Sequence, residues 1–392
     1  MIQRDLAPKL LAAAELFPAV TLTGPRQSGK STLCRGLFPN HPYVNLEAPD
    51  ERGFALSDPR GFLAQFPDGA VIDEVQRAPE ITSYLQEIID RDPRPGRWIL
   101  TGSQNFALHE SVSQSLAGRT AILHLLPLCW NELTRFDNPP KTLDEAILSG
   151  GYPRIFDKGL KPADWLSSYV ATYVERDVRS LSNIGDLQAF QRFIELCAGR
   201  TGQLLNYSSL ANDCGVTQPT AKFWIGLLEA SFIAFRLRPF HTNLRKRLTK
   251  MPKLHFYDSG LACWLLNIQT TEQLRSHPLR GLLFESWVAS EILKHRTNLG
   301  ERPNLSFYRT RSGLESDLLL ERPKGITLIE VKASQTPSQS MFKAIGLVAE
   351  HLEHEPGILD SMVVYGGDKE QKRTAGQIIP WSKVCKQTWT SE

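Results

Sequence analysis

AVTLTGPRQSGKSTL, residues 19–33, joins an apolar run to a loop bracketed by Gly24 and Gly29, then to Lys30, Ser31 and Thr32 at the head of a helical stretch. Two glycines in such a loop let backbone N–H groups close around an anion, which side chains would obstruct. The helix that follows points its positive dipole end at the same spot. Phosphate is the anion this geometry fits, and strand, loop and helix form the context that the GxxxxGKS spacing needs. Outward from it, the short apolar runs YVNLE, AVIDE, WILTG and AILHLL alternate with helical stretches up to about Leu126. That alternation predicts a parallel sheet covered by helices.

Gly24, Pro25, Arg26, Gln27, Ser28 and Gly29 are the expected phosphate cradle, with ATP as the nucleotide. Lys30 reaches the β- and γ-phosphates, the Ser31 hydroxyl takes Mg²⁺, and Thr32 follows in the first helical turn. In GAVIDEVQ an apolar run delivers Asp73 to the C-terminal edge of a strand, where it holds the same ion. Glu74, next in sequence, is placed to orient or deprotonate the attacking water. WILTGSQN ends in hydroxyls: Ser103 or Thr101 senses the γ-phosphate, or these groups cap the next helix. Arg119, in SLAGRT, is an arginine finger for a neighbouring copy in a homo-oligomer or a solvated surface residue.

At 392 residues the chain exceeds what one hydrophobic core organises, so two to three domains are expected. Its 45 Lys plus Arg against 42 Asp plus Glu leave a net +3, too little to announce a nucleic-acid or membrane partner by itself. Cys34, Cys129, Cys197, Cys214, Cys263 and Cys385 lie at no metal-ligand or redox spacing and read as reduced thiols. The opening MIQRDLAPKLLAAAELFPAV predicts a short amphipathic helix ending near Pro18, without a signal-peptide cleavage site. No apolar run nears the ~18 residues that span a bilayer, so a cytoplasmic protein without a membrane partner is expected.

GPRQSGKST, VIDEVQ, ILTGSQ, SLAGR and GGYP together resemble the bacterial and archaeal AAA-type ATPases that carry a C-terminal DUF4143 region, over nearly the whole chain. The resemblance implies an α/β protein: an AAA+ P-loop ATPase core over residues 1–135, a helical lid over 136–175, a winged helix-turn-helix over 176–258 and a nuclease-like α/β domain over 259–392. In related signal-transducing ATPases a GxP element sets its proline near the adenine. Gly151 to Pro153 match it, which makes Pro153 a candidate nucleotide contact, with an ordinary Gly-Pro turn as the alternative.

YSSLANDCGVTQPTAKFW, residues 207–224, has the layout of a helix-turn-helix. Gly215 supplies the turn, Val216 packs beneath it, and Thr217 caps a second helix that tolerates Pro219 in its first turn. Gln218, Thr220 and Lys222 then face outward at the groove-reading end. Arg236, Arg238, Arg245, Lys246, Arg247, Lys250 and Lys253 follow with no acid between them, a stripe able to neutralise DNA phosphates whatever the sequence. A solvated basic run is the competing reading.

In SGLESDLLLE and ITLIEVKAS two strands are joined by a turn at Arg322 to Gly325, an antiparallel pairing that brings Asp317 and Glu330 to one edge. Lys332, two residues beyond Glu330, shares its face. Two carboxylates suit Mg²⁺ or Mn²⁺, and Glu285 from the helix upstream is a candidate third ligand. Glu285, Asp317, Glu330 and Lys332 together resemble the PD-(D/E)xK nuclease pattern, with Ser316 where the motif's proline stands. Surface ion pairs are the plain alternative. These features point to an ATPase that acts on DNA, to a nucleotide-dependent signalling switch, or to a helix-turn-helix regulator; ATP is common to all three.

Overall fold

The structure, a computed structural model, describes residues 2–103, 115–174, 186–240, 251–352, 357–387 and 389–390. The chain divides into two compact units, one formed by Met1–Pro127 with Ala230–Phe232 and Thr297–Gly300, the other by the remainder.

The first unit is built on a five-stranded parallel sheet of β1 (Ala19–Thr23), β2 (Tyr43–Asn45), β3 (Ala70–Asp73), β4 (Trp98–Gly102) and β5 (Thr120–His124), in the order β2-β3-β4-β1-β5. β1, β3 and β4 are buried along their whole length, as parallel strands covered on both faces must be. Side chains alternate between two cores. Val20, Leu22 and Ile99 pack with Leu6, Leu10 and Leu33 on one face, while Ala19, Ile72 and Leu100 pack with Phe62 and Leu85 on the other. This order sets β1 and β3 on either side of β4, so the loop after Thr23 and the end of β3 open on the same edge.

In the second unit, β6 (Gln203–Leu204), β7 (Ala234–Pro239), β8 (Lys253–Phe256), β9 (Leu305–Arg309), β10 (Glu315–Arg322), β11 (Gly325–Lys332), β12 (Ile358–Tyr365), β13 (Gln371–Arg373) and β14 (Gly376–Pro380) form one mixed sheet. Its order is β13-β14-β12-β11-β10-β9-β7-β8-β6. Beyond the second helix of the helix-turn-helix the chain turns to strand at Ala234. β7 pairs antiparallel with β8 and, through Arg238 and Pro239, parallel with β9. Strands from the expected middle and C-terminal segments thus share a single sheet, since an apolar edge is blunted by pairing.

The helices Tyr207–Cys214 and Gln218–Ala230 meet at Gly215, whose φ of 72° ends the first of them in the left-handed region. Thr217 Oγ1 accepts the Thr220 N–H at 3.3 Å. Gln218 and Lys222 are exposed. Arg236 is bonded to Glu229 and Tyr207, and Lys253 is buried; Arg245, Lys246, Arg247 and Lys250 lie outside the described residues. Among the described residues no helix is long and apolar enough to cross a membrane.

Candidate nucleotide site and acidic pocket

The loop after β1 passes through positive φ at Gly24 (151°), Gln27 (64°) and Gly29 (96°), a curl that turns successive N–H groups inward. A Cβ on Gly24 would stand 2.1 Å from the Leu125 carbonyl oxygen, so only glycine lets the loop lie this close to the chain beyond β5. Gly29 precedes the helix Lys30–Leu37 and offers no capping side chain, which leaves the first-turn N–H groups of that helix to an anion. Lys30 is buried and its ammonium donates to the Gly24 and Pro25 carbonyls, each at 2.9 Å. Burial lowers its pKa to about 8, with Glu74 and Asp73 opposing the shift. Arg4 braces the loop from outside by donating to the Ser28 carbonyl at 2.7 Å, and Arg26 is tied to Glu47 at 2.9 Å. Burial alone would raise the Glu47 carboxyl, but Arg77 and Arg26 hold it below its usual range.

Asp73 ends β3 with both oxygens engaged. Thr101 on β4 donates to Oδ1, and the Tyr43 phenol on β2 donates to Oδ2 at 2.5 Å. Tyr43 also bonds Ser31, so one phenol stands between the hydroxyl and the carboxylate. A hydroxyl and a carboxylate are the oxygen donors that Mg²⁺ takes, and these are the two residues that would hold it. Burial and the Asp73 bond push the Tyr43 phenol well above its usual range, so it stays a donor. Glu74 takes the left-handed region at φ 58°, which turns its carboxylate away from the strand direction. There its Oε2 accepts from Ser103 Oγ at 3.0 Å and from the Gln76 amide.

The second constellation lies in the other unit. A pocket of about 840 Å³ gathers Glu285, Glu315, Asp317, Glu330, Lys253 and Lys332. The hairpin register pairs Leu318 with Ile329, and a shift against β9 between Ser316 and Leu319 re-aims the intervening Asp317. Asp317 Oδ2 accepts the Val331 N–H at 2.8 Å. Lys332 Nζ meets Glu330 Oε1 at 2.5 Å, as two residues on one strand face can, while Glu330 Oε2 is buried with no partner. Burial, reinforced by the Asp317 charge, raises Glu285 to about 8 and Glu330 to about 7. Asp317 is raised by burial too.

Residues 16–134 match the family described as an AAA domain, 140–272 a domain of unknown function (DUF8612) and 280–384 a domain of unknown function (DUF4143). Two uncharacterized proteins, from Mycobacterium bovis and Mycobacterium tuberculosis, are each 31% identical over 382 residues, spanning 94% of this chain and 84% of theirs. The chain belongs to the AAA-type P-loop ATPases with a DUF4143 region. Among solved structures, the Walker-type ATPase of Pyrococcus abyssi aligns at 17% identity and TM-score 0.46, covering 68% of this chain and 96% of that one. RuvB of Thermotoga maritima aligns at 20% identity and TM-score 0.32, covering 60% and 90%.

This AAA-type ATPase brings together Lys30, Ser31, Asp73, Glu74 and Ser103 at one sheet edge, where Ser103 contacts Glu74 and Thr101 holds Asp73. Arg119 lies elsewhere. It precedes β5 at the opposite edge, beside Ala19, about 15 Å of strand away from the cradle. It forms a two-pronged pair with Asp90 at 2.6 and 2.9 Å. Pro153 opens the helix Pro153–Asp157 in the second unit, where the Gly151 N–H donates to the buried Asp258 carboxylate at 2.7 Å. Tyr43, Gln76, Lys253 and Glu315 are the site residues that sequence reading missed. Gln76 and Glu315 lie two residues from Glu74 and Asp317 within the motifs, whereas only tertiary pairing joins Tyr43 and Lys253 to them.

Proposed function

We propose that the first unit hydrolyses ATP with Mg²⁺ and that the second grips DNA by its backbone and cuts it in the acidic pocket. The observation that carries this reading is the convergence of Glu285, Asp317, Glu330 and Lys332, three separate stretches of chain, on one pocket.

In the first unit Lys30 trades its loop carbonyls for the β- and γ-phosphates, and the first-turn N–H groups hold the rest of the phosphate chain. Mg²⁺ on Ser31 and Asp73 supplies charge neutralisation when bound. Glu74, oriented by Ser103 and Gln76, aligns the attacking water. Arg119 serves the nucleotide of a neighbouring copy in a homo-oligomer once it leaves Asp90. In the second unit Asp317 and Glu330 hold Mg²⁺ or Mn²⁺, and Lys332 stabilises the charge that builds on the phosphate. The exposed Gln218 and Lys222 on the second helix of a winged helix-turn-helix lie against the duplex.

The test is incubation of end-labelled single-stranded, duplex and branched DNA with Mg²⁺ or Mn²⁺, with and without ATP, beside the Asp317→Ala protein. Cleavage by the unmutated protein alone is expected; equal cleavage by both, or none, defeats the nuclease assignment. A second reading, a nucleotide-driven switch that binds a partner without cutting, draws on the pairing of Arg236 with Glu229 and of Lys253 with two acids. Those pairings withdraw two cations of the basic stretch from DNA. Under that reading DNA leaves ATP turnover unchanged.

A further inference from the structure

β8 opens with Lys253, whose ammonium lies 2.8 Å from Glu285 Oε1, 2.5 Å from Glu315 Oε1 and 5.3 Å from the centre of the Phe307 ring. The side chain is only 3% exposed. A charge buried this deeply persists only where opposite charges and hydrogen bonds meet it, and here two carboxylates do. Any divalent ion placed on Glu285 would face that ammonium, cation against cation.

The other end of the pocket differs. Glu330 keeps a buried oxygen with no partner on a side chain 5% exposed, and Asp317 gives one oxygen to the Val331 N–H. An unpartnered carboxylate oxygen inside a polar pocket is costly unless something positive meets it. Lys332 satisfies the first oxygen of Glu330 and leaves the second. The Lys253 charge is felt at Asp317 as well, but the carboxylate oxygen left without a partner belongs to Glu330, so the need for a further cation lies between Asp317 and Glu330 rather than at Glu285, which already holds the ammonium.

We propose that Lys253 is a built-in cation that takes the place of a second metal ion, keeps Glu285 out of the metal's ligand set, and restricts the pocket to one divalent ion on Asp317 and Glu330. This rests on the reading of the pocket as a metal site. Glu285 then acts with Glu315 as the clamp that holds the ammonium, a positioning role rather than a ligand's.

The test is Mn²⁺ binding, followed by calorimetry and by the electron paramagnetic resonance of the free ion, without nucleotide and in an Asp73→Asn background that silences the P-loop site. One Mn²⁺ per chain is expected, lost in Asp317→Asn and kept in Glu285→Gln. Lys253→Met should gain a second ion, and adding Glu285→Gln to it should remove that ion again. Loss of the single ion in Glu285→Gln, two ions in the parent, or a Lys253→Met protein that still takes one would overturn the inference. Glu285→Gln leaves the ammonium with Glu315, so this arm decides even where Lys253→Met does not fold. No Mn²⁺ in the parent would defeat the metal reading of the pocket itself.

Discussion

Tyr43 and Asp73 share a short hydrogen bond of 2.5 Å across neighbouring strands, and the same phenol reaches Ser31. The Arg35 guanidinium, 4.9 Å over the ring, fixes the phenol from the helix side. Partners behind a metal ligand orient it, and their loss commonly costs about tenfold or more in metal affinity. Tyr43→Phe is therefore expected to raise the Mg²⁺ concentration for half-maximal ATP hydrolysis by about tenfold, with a smaller loss of rate at saturating Mg²⁺. A magnesium titration of the steady-state rate checks this. An unchanged midpoint would mean that Tyr43 only packs β2.

Lys30 and Glu74 separate binding from chemistry. Lys30→Ala removes the charge that meets the phosphates, so both nucleotide affinity and turnover should fall. Glu74→Gln keeps the shape and the Ser103 contact but not the basicity, and turnover should drop by about 10²–10⁴ while binding persists. Ser103→Ala should fall between, because Gln76 still holds Glu74. Binding of a fluorescent ATP analogue beside phosphate release distinguishes the three; equal loss of binding and turnover in Glu74→Gln would make that residue structural.

The parallel sheet of the first unit was legible because its strands are apolar runs closed by glycines and acids, and Lys30, Asp73 and Glu74 stand at fixed distances from strand ends. The hairpin of Asp317 and Glu330 was legible from the turn between them. Tyr43 was not, since a tyrosine opening a short strand carries no signal until β2 is known to pair with β3. Lys253 read as one more cation in a basic stretch, and only the antiparallel pairing of β7 with β8 turns it inward. Spacing likewise hid Cys129 and Cys385, which meet at Glu291, where the Cys385 thiol donates at 3.2 Å.

Gly24→Ala tests the cradle without touching charge. The new Cβ would lie 2.1 Å from the Leu125 carbonyl oxygen at a φ of 151°, a conformation that side chains rarely adopt. Displacement of the loop should abolish nucleotide binding and destabilise the first unit by about 1–3 kcal/mol. Thermal melting with and without ATP checks both parts. A variant that still gains stability from ATP would show that the loop relaxes around the methyl group.

His255 gives the second unit an acid-sensitive core. It is fully buried on β8, both ring nitrogens lack partners, and its ring stacks on Phe235 with centroids 5.4 Å apart. Burial, aided by the nearby Lys253 charge, lowers its pKa to about 3. The unfolded chain takes up this proton below about pH 6.5 while the native chain refuses it, so stability is full above that pH and declines as pH falls toward about 3. The slope from this group is about 1.4 kcal/mol per pH unit within the window. His255→Phe keeps the stacking and removes the proton site. Its urea midpoint should therefore fall less than that of the unmutated protein between about pH 6.5 and about pH 4.5, by an amount equivalent to roughly 2 kcal/mol. Parallel declines in the two proteins would show that His255 protonates in the native state at an ordinary pKa.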